Sequence, residues 1–164
     1  MSPLPSIRRG RATDLPTVLV LLEGARLPTA DVTSVDELPM WVLEERAAIV
    51  GVIALERFGS EALLRSLTIA PEYRKRGFGR ELVARLEESA RADNIQQLVL
   101  LTETAEAFFR GLGYSVIDRR HVSDRLKQSA EFRSLCPASA TCMSKTLEER
   151  LDAIGKTRPP GESR

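Results

Sequence analysis

The spacing of hydrophobic residues changes several times along the chain, and each change predicts a new secondary-structure element. Apolar residues at positions 15, 18, 19 and 22 follow Asp14 at helical spacing, which predicts a first helix with Thr13 as its N-cap. A second helix is predicted from 79 to about 92, and a third from 104 to 112, where Gly113 ends it. Strands are predicted at 6–9, 40–45, 47–57, 63–70, 98–101, 114–118 and 141–147.

The order of these elements indicates the fold class. After a short first strand, a helix precedes three strands, strands and helices then alternate, and two strands close the series. This order is typical of an α/β (α+β) domain, and we expect a central mixed, mostly antiparallel sheet of six to seven strands flanked by about four helices. The segment 98–101 is fully apolar, which predicts burial on both faces of the sheet. We assign residues 1–150 to this domain and 151–164 to a loose polar tail.

Composition and charge narrow the classes of function. The 164 residues suit one domain, with 43% hydrophobic and 29% charged residues. The net charge of +1 creates no overall attraction to nucleic acid or to an anionic membrane, so neither is expected as a partner. There is no apolar run long enough to cross a bilayer and no signal-peptide pattern, so we expect a cytoplasmic protein. Cys136, Cys142 and the single histidine, His121, are too few to predict a metal site.

A basic loop between a predicted strand and a predicted helix carries the clearest chemical signal. The strand ends at Pro71, residues 74–76 are Arg-Lys-Arg, and Gly77 and Gly79 open the helix. The first amides of a helix lack intrahelical acceptors, and the helix dipole adds partial positive charge there. Glycines at this place let a phosphate approach the backbone closely. The segment predicts a pyrophosphate site; the alternative is a solvated basic loop with a glycine-capped turn.

The segment Arg74-Lys75-Arg76-Gly77-Phe78-Gly79 resembles the coenzyme loop of the GCN5-related N-acetyltransferase (GNAT) superfamily, Gln/Arg-x-x-Gly-x-Gly/Ala. It matches neither a Walker loop nor a dinucleotide fingerprint. The later family motif, a helix ending in Gly-Phe/Tyr, is similar to residues 107–114, which end in Gly113-Tyr114. The resemblance spans residues from about 5 to 148. It implies the GNAT fold with acetyl-coenzyme A as co-substrate, and we expect no metal.

The resemblance also implies which residues hold acetyl-coenzyme A. Backbone groups of Leu67 and Ile69 are expected to pair with the pantetheine arm as an added β-strand would. Amides from Arg76 to Arg80 are expected to hold the pyrophosphate. The full cofactor-binding set is predicted to be Leu67, Thr68, Ile69, Arg74, Lys75, Arg76, Gly77, Phe78, Gly79, Arg80 and Thr102.

Segments in the second half of the chain resemble a narrower group. Residues 63–67, 100–109 and 131–140 are similar to acetyltransferases encoded beside arsenic-resistance genes, and more loosely to the acetyltransferase domain of N-acetylglutamate synthases. Both resemblances imply a small, glutamate-like amino acid as the acceptor, a class that includes organoarsenical glutamate mimics. Dimers through the C-terminal strands are common in the superfamily, so a homodimer is expected.

The sequence leaves several candidates for the general acid. Many superfamily members protonate the leaving thiolate with a tyrosine in the late helix, and Phe109 stands at that position here. Tyr114, Ser66, Thr102 or a water molecule is the candidate to replace it.

The sequence also leaves several candidates for the general base. Some relatives carry a glutamate where this chain has Leu63. Glu56, on the preceding strand, and Glu103, at the carboxyl end of the sheet, are the candidates to replace it. Direct attack with a water-relayed base is a further alternative, and positioning then supplies most of the rate.

An acceptor with carboxylates requires fixed cations. Arg65 lies in an otherwise apolar strand beside the cofactor segment, and a buried arginine needs an anionic partner. Arg133 and Ser134 complete the predicted substrate-binding set. The alternative for Arg65 is an internal ion pair, for instance with Glu56 across the hairpin.

Three functions follow from this pattern. The first is acetylation of a small amino acid or a toxic glutamate analogue. The second is N-acetylglutamate synthesis, and the third is a non-catalytic sensor that binds acetyl-coenzyme A. A small-molecule amine is the expected partner in the first two.

Overall fold

The computed structural model describes residues 4–147, except for the side chains of residues 134 and 135, and its strands form a seven-stranded sheet. The strands are β1 (Ser6–Arg9), β2 (Met40–Glu45), β3 (Ala48–Phe58), β4 (Glu61–Ile69), β5 (Gln97–Thr102), β6 (Ser115–Val116) and β7 (Thr141–Thr146). The helices are α1 (Leu15–Gly24), α2 (Phe78–Ala92), α3 (Glu106–Arg110) and α4 (Asp124–Lys127). The predicted tail, 151–164, lies outside the described residues.

The strand order across the sheet is β1-β2-β3-β4-β5-β7-β6. Strands β4 and β5 run parallel, because α2 crosses over between them, and the other neighbours pair antiparallel. The predicted mixed, mostly antiparallel sheet with flanking helices is therefore confirmed. The strand β6 has only two residues at the edge, shorter than its hydrophobic pattern predicts.

Alternating side chains place a hydrophobic core on each face of the sheet. On β2, Trp41 and Leu43 belong to the core under α2, whereas Met40 and Val42 belong to the core under α1. The fully buried side chains that α2 and α1 contribute are Leu82, Leu86, Ala90, Val18 and Leu22. Burying a leucine or valine side chain contributes about 1.5–3 kcal/mol, so both helices are held to the sheet mainly by this packing.

The segment between β6 and β7 contains structure that the sequence pattern did not predict. Ser123 caps α4 by accepting a hydrogen bond from the Leu126 amide at 3.2 Å, and Leu126 packs on Leu63 and Val99. A π-helical turn at Glu131–Leu135 follows. Both elements are too short for a hydrophobic period to be visible, and packing against the sheet stabilises them.

The strand β4 changes its pairing at one point that matters for the site. On the β3 side, Val52 pairs with Thr68 and Ala54 with Arg65, so two residues of β4 face one residue of β3. Within this bulge Ser66 has a φ of 62°, a left-handed conformation that is uncommon outside glycine. On the other side, the parallel ladder with β5 ends at Leu63 and Val99. The two strands separate beyond it, which opens the sheet in its middle.

Candidate active site

The opening between β4 and β5 leads into two adjoining clefts. The first, the loop cleft, has a volume of about 780 Å³ and lies between the end of β4, the basic loop before α2, and Phe108 of α3. The second, the inner cleft, has a volume of about 720 Å³. The residues common to both clefts are Ala25, Arg26, Leu27, Leu67, Thr104 and Ala105. A ligand that enters along the loop cleft therefore reaches the inner cleft beside Leu67.

The loop cleft collects most of the predicted cofactor-binding residues. Those that line it are Leu67, Thr68, Ile69, Arg74, Lys75, Gly77, Phe78, Gly79 and Arg80. Arg76 does not line it: its Nη2 donates to the Glu72 carbonyl at 3.1 Å, and its guanidinium lies 5.3 Å from the Tyr73 ring centre. Thr102 lines the inner cleft instead, where its hydroxyl oxygen accepts the Ala105 amide at 2.9 Å.

The start of α2 has the conformation that a phosphate site needs. Gly77 is the N-cap residue with a φ of 86°, and no heavy atom lies within 4 Å of the place where a Cβ would stand. The first amide hydrogen bond of the helix runs from Glu81 to the Gly77 carbonyl at 3.1 Å, so the amides before it have no intrahelical acceptor. A Cβ at Gly79 would lie 3.4 Å from Phe108 Cζ, so a small residue allows α3 to approach.

Two neighbouring side chains, Tyr73 and Arg74, hold the loop against the sheet. Arg74 Nε donates to the Ile69 carbonyl at 2.7 Å. That carbonyl is one of the backbone groups predicted to pair with pantetheine, so in this structure it is already engaged. The preceding residue, Tyr73, donates from its hydroxyl to the Glu45 carboxylate, which ties the loop to β2.

The inner cleft contains a buried arginine surrounded by three carboxylates. Arg65, whose side chain is 0% exposed, donates from both Nη groups to Asp31 at 2.6 and 2.7 Å. Its Nη1 also donates to Glu56 Oε1 at 3.1 Å, so the ion pair with Glu56 that the sequence suggested as an alternative is present. Its Nε lies 3.2 Å from Glu131 Oε2 and donates to Ser66 Oγ at 3.3 Å. One guanidinium thus compensates three carboxylates.

Burial and charge shift the pKa values of this cluster in different directions. The hydrogen bonds from Arg65 lower the pKa of Asp31. Burial raises the pKa of Glu131, with Arg65 opposing the shift and the charges of Asp31 and Glu56 adding to it. Burial, together with the neighbouring Glu131, also raises the pKa of the Cys136 thiol to about 12. Burial therefore favours the protonated form of Glu131, whereas the hydrogen bonds from Arg65 favour the ionised form of Asp31.

The other catalytic candidates lie at different distances from the cleft. Ser66 lines the inner cleft, as does Glu103, whereas Glu56 touches Arg65 without lining it. Tyr114 lines neither cleft: its hydroxyl donates to the buried Glu87 at 2.8 Å, in the core under α2. Its placement does not favour a role as the acid.

The remaining substrate candidates receive little support from their placement. Arg133 is exposed and lines neither cleft. The side chain of Ser134 lies outside the described residues. Phe109, which stands where relatives carry a tyrosine, is buried at the edge of the inner cleft.

Two residues at the site were missed by the sequence analysis. Asp31 lies in the polar stretch after α1, where no periodic pattern marked it. Glu131 lies in a segment that carried the narrower resemblance, but nothing in the sequence indicated that it is buried, with 3% of its surface exposed. The pairing of both carboxylates with Arg65, and the burial of Glu131, distinguish them from surface carboxylates.

Comparison with known proteins agrees with this geometry. A family model described as an acetyltransferase (GNAT) domain matches residues 36–116. The chain carries an acetyltransferase domain of the GNAT superfamily. The match covers β2 to β6, including the basic loop and both strands that form the opening.

Curated relatives of this GNAT domain are also acetyltransferases. An uncharacterized N-acetyltransferase from Chlorobaculum tepidum is 26% identical over 112 residues, which are 65% of this chain and 70% of that protein. An amino-acid acetyltransferase from Aeromonas salmonicida is 33% identical over 79 residues, 47% of this chain but only 18% of that protein. The predicted enzyme class, an N-acetyltransferase of GNAT type, is confirmed at this level.

Solved structures show the same fold. N-acetylglutamate synthase from Neisseria gonorrhoeae, complexed with coenzyme A and N-acetyl-glutamate, superposes with a TM-score of 0.76 at 19% identity, over 90% of this chain and 36% of that one. Rv2747 from Mycobacterium tuberculosis, in complex with coenzyme A, gives a TM-score of 0.74 at 24% identity, over 87% and 99%. This chain therefore spans about a third of the length of the synthase. Among residues 4–147, no helix is long and apolar enough to cross a membrane.

Proposed function

We propose that this GNAT domain transfers the acetyl group of acetyl-coenzyme A to the amine of an amino-acid-sized acceptor. The observation that carries the proposal is the pair of adjoining clefts at the point where β4 leaves β5. One cleft ends at a helix N-terminus lined by basic residues, and the other ends at a buried cluster of charged side chains. A thioester and an amine bound in the two clefts meet beside Leu67.

The loop cleft fits the coenzyme. The N-cap glycine leaves open space in front of the first amides of α2, and Arg74, Lys75 and Arg80 line the same cleft. Amides at a helix N-terminus together with nearby cations are suited to a pyrophosphate. Beyond Leu63, the edge of β4 that faces the opening has no β5 partner, so an amide-bearing arm can pair with it as a strand would.

The inner cleft is suited to hold the amine that accepts the acetyl group. Transfer to an amine requires the nitrogen to lose a proton and attack the carbonyl carbon, after which the carbon–sulfur bond breaks and the thiolate leaves. The inner cleft is lined by Arg65 and by the carboxylates of Glu103 and Glu131, which can orient a small polar acceptor for that attack. Likeness to an amino-acid acetyltransferase and to N-acetylglutamate synthase supports an amino acid, with glutamate and its toxic analogues, organoarsenicals included, as the first acceptors to try.

Two measurements on the purified protein test the proposal. Calorimetric titration with acetyl-coenzyme A should give saturable heat. Thiol release should then appear only when an amino-acid acceptor is added from a panel of glutamate, other amino acids, and phosphinic and arsenical glutamate analogues. The control acceptors are the same compounds with the amine already acetylated, which should release no thiol.

The outcomes separate the functions that the sequence left open. Turnover with glutamate alone favours the synthase, and preference for the analogues favours detoxification. Saturable binding without turnover on any amine in the panel would contradict the proposal and indicate a sensor. Absence of binding would contradict both the enzyme and the sensor.

A further inference from the structure

The segment between α4 and β7 places one carboxylate at the wall of the inner cleft. Glu131 opens the π-helical turn, and its carbonyl accepts the Cys136 amide at 3.1 Å, which closes the turn. Only 5% of its side chain is exposed. Glu131 lines the inner cleft, together with Ser66 and with Leu67, where the two clefts adjoin.

The sharing of Arg65 leaves Glu131 less compensated than its neighbours. Asp31 takes hydrogen bonds from both Nη groups, and Glu56 takes another from Nη1. Glu131 lies near the remaining Nε, 3.2 Å away, and this Nε also donates to Ser66. The side chains of Asp31 and Glu56 are 27% and 26% exposed, so water screens them, whereas Glu131 is screened far less.

The charge of the cluster favours proton uptake by one carboxylate. The groups that face Glu131 are Arg65 from β4, Asp31 from the loop after α1, Glu56 from β3 and the thiol of Cys136. They sum to one positive and two negative charges before Glu131 ionises. Burial raises the pKa of Glu131, and the charges of Asp31 and Glu56 add to this shift while Arg65 opposes it, which makes its carboxylate a stronger base than a surface glutamate.

We infer that Glu131 is the general base that takes the proton from the ammonium group of the acceptor. The inference rests on the proposed function. In the step, an N–H bond of the ammonium breaks and an O–H bond forms on the carboxyl, giving a neutral amine and a neutral acid. The amine nitrogen then attacks the thioester carbonyl carbon, and the carbon–sulfur bond breaks with its electron pair going to sulfur. The nitrogen loses its second proton to the departing thiolate, giving the amide and the free thiol of coenzyme A, and Glu131 returns its own proton to solvent. The uptake of the ammonium proton by Glu131 also reduces the negative charge around Arg65.

The experiment compares Glu131→Gln with Glu87→Gln. Glu87 is a second buried glutamate, paired with Lys145 and Tyr114 in the core under α2, and it lines neither cleft, so it controls for the loss of a buried charge. At pH 7, kcat/KM for the acceptor should fall about 10²- to 10⁴-fold in Glu131→Gln. The Kd for acetyl-coenzyme A should stay within about twofold of that of the wild type, and Glu87→Gln should retain the wild-type rate.

The pH profile provides a readout that a purely structural role does not move. In the wild type, kcat/KM should fall as the pH drops through the raised pKa of Glu131 and the base becomes protonated. In Glu131→Gln this limb should be replaced by a rate that follows the free-amine fraction of the acceptor. Glu131→Asp keeps the carboxylate and should retain the acidic limb at a reduced rate, which provides the test if Glu131→Gln fails to fold.

The result that overturns the inference is distinct from the result that overturns the proposed function. If the wild type acetylates an amino acid while Glu131→Gln and Glu131→Asp keep both its rate and its pH profile, Glu131 is not the base. A loss confined to Glu56→Gln would assign the base to Glu56 instead and would also overturn it. If the wild type itself turns over no amine, the proposed function fails first.

Discussion

Both Nη groups of Arg65 donate to the carboxylate of Asp31, so the central strand β4 and the loop after α1 are joined by two parallel hydrogen bonds at 2.6 and 2.7 Å. The loop contributes Ala25, Arg26 and Leu27 to both clefts. The pair therefore positions a wall of the site as well as satisfying a buried charge. Its removal should affect stability and acceptor binding together.

Replacement of Arg65 by methionine tests this double role. Breaking a buried ion pair by removing one partner costs about 3–5 kcal/mol, so Arg65→Met should lower the free energy of unfolding by that amount in urea titrations. The KM for the acceptor should also rise far more than the KM for acetyl-coenzyme A. Arg57→Met is the control, because Arg57 pairs with Asp93 at the surface and should contribute less than about 1 kcal/mol. Unchanged acceptor kinetics in Arg65→Met would remove Arg65 from the acceptor site.

A methyl group at Gly77 should weaken coenzyme binding. The Cβ would occupy the open space in front of the α2 amides, and the left-handed φ of 86° would cost about 1–2 kcal/mol. We expect the Kd for acetyl-coenzyme A to rise about tenfold in Gly77→Ala, measured by calorimetry, which corresponds to about 1.4 kcal/mol. Gly59 shares the positive φ, at 69°, but lies in the β3–β4 turn away from both clefts. Gly59→Ala should lower the melting temperature and leave this Kd unchanged; equal Kd changes in both variants would contradict the placement of the pyrophosphate.

Replacement of Tyr114 by phenylalanine separates a structural hydroxyl from a catalytic one. Burial and the charge of Glu87 raise the pKa of Tyr114, so the hydroxyl stays protonated and holds its bond to Glu87. Tyr114→Phe should lower the free energy of unfolding by about 1–3 kcal/mol, because the buried carboxylate loses a donor. The kcat measured by thiol release should be unchanged. A drop in kcat of about 100-fold without loss of stability would restore Tyr114 as the candidate acid.

The ion pair between Arg8 and Asp14 should make stability depend on acid pH. Two hydrogen bonds from Arg8, at 2.9 and 3.0 Å, lower the pKa of Asp14 below its value in the unfolded chain. The unfolded state then binds the proton first as the pH falls. The contribution is complete above the unfolded pKa of about 3.9 and is lost as the pH drops through the lower folded value.

The variant Asp14→Asn checks that direction. Its melting temperature should be lower than that of the wild type at pH 7 and should decline less between about pH 5 and pH 2, since one titrating group is absent. Asp93→Asn, at an exposed pair, serves as the control and should follow the wild-type pH dependence. Parallel curves for Asp14→Asn and the wild type would show that the pair contributes no pH-dependent stability.

The sheet and the basic, glycine-containing loop before α2 were predictable because their signals are local. Alternating residues in β2 to β4 specify two buried faces, and the glycines at 77 and 79 mark a helix start after a basic loop within six residues. Nine of the predicted cofactor residues line one cleft, but their contacts with acetyl-coenzyme A stay a prediction. The same holds for the arsenic-related subgroup, which the comparisons do not reach.

The inner cleft was less predictable, because the residues that contact one another there are far apart in the sequence. Arg65 was identified as a buried cation, and its pairing with Glu56 follows from the hairpin register. Asp31 is 34 residues from Arg65 in sequence, and no local pattern connects the two. The π-helical turn that buries Glu131 depends on packing between α4 and the sheet, which a hydrophobic period over five residues does not encode.

Where β4 separates from β5, backbone atoms and side-chain atoms are suited to bind different molecules. In the proposed function, the coenzyme pairs with backbone groups of β4 and with the first amides of α2, and these groups are the same whatever side chains the residues carry. Around the inner cleft, side chains from the loop after α1 and from the π-helical turn form the boundary. Mutation can therefore exchange the molecule that is modified while the carrier of the acyl group is retained. A broken ladder in the middle of a sheet thus allows one architecture to acquire many acceptors over evolutionary time.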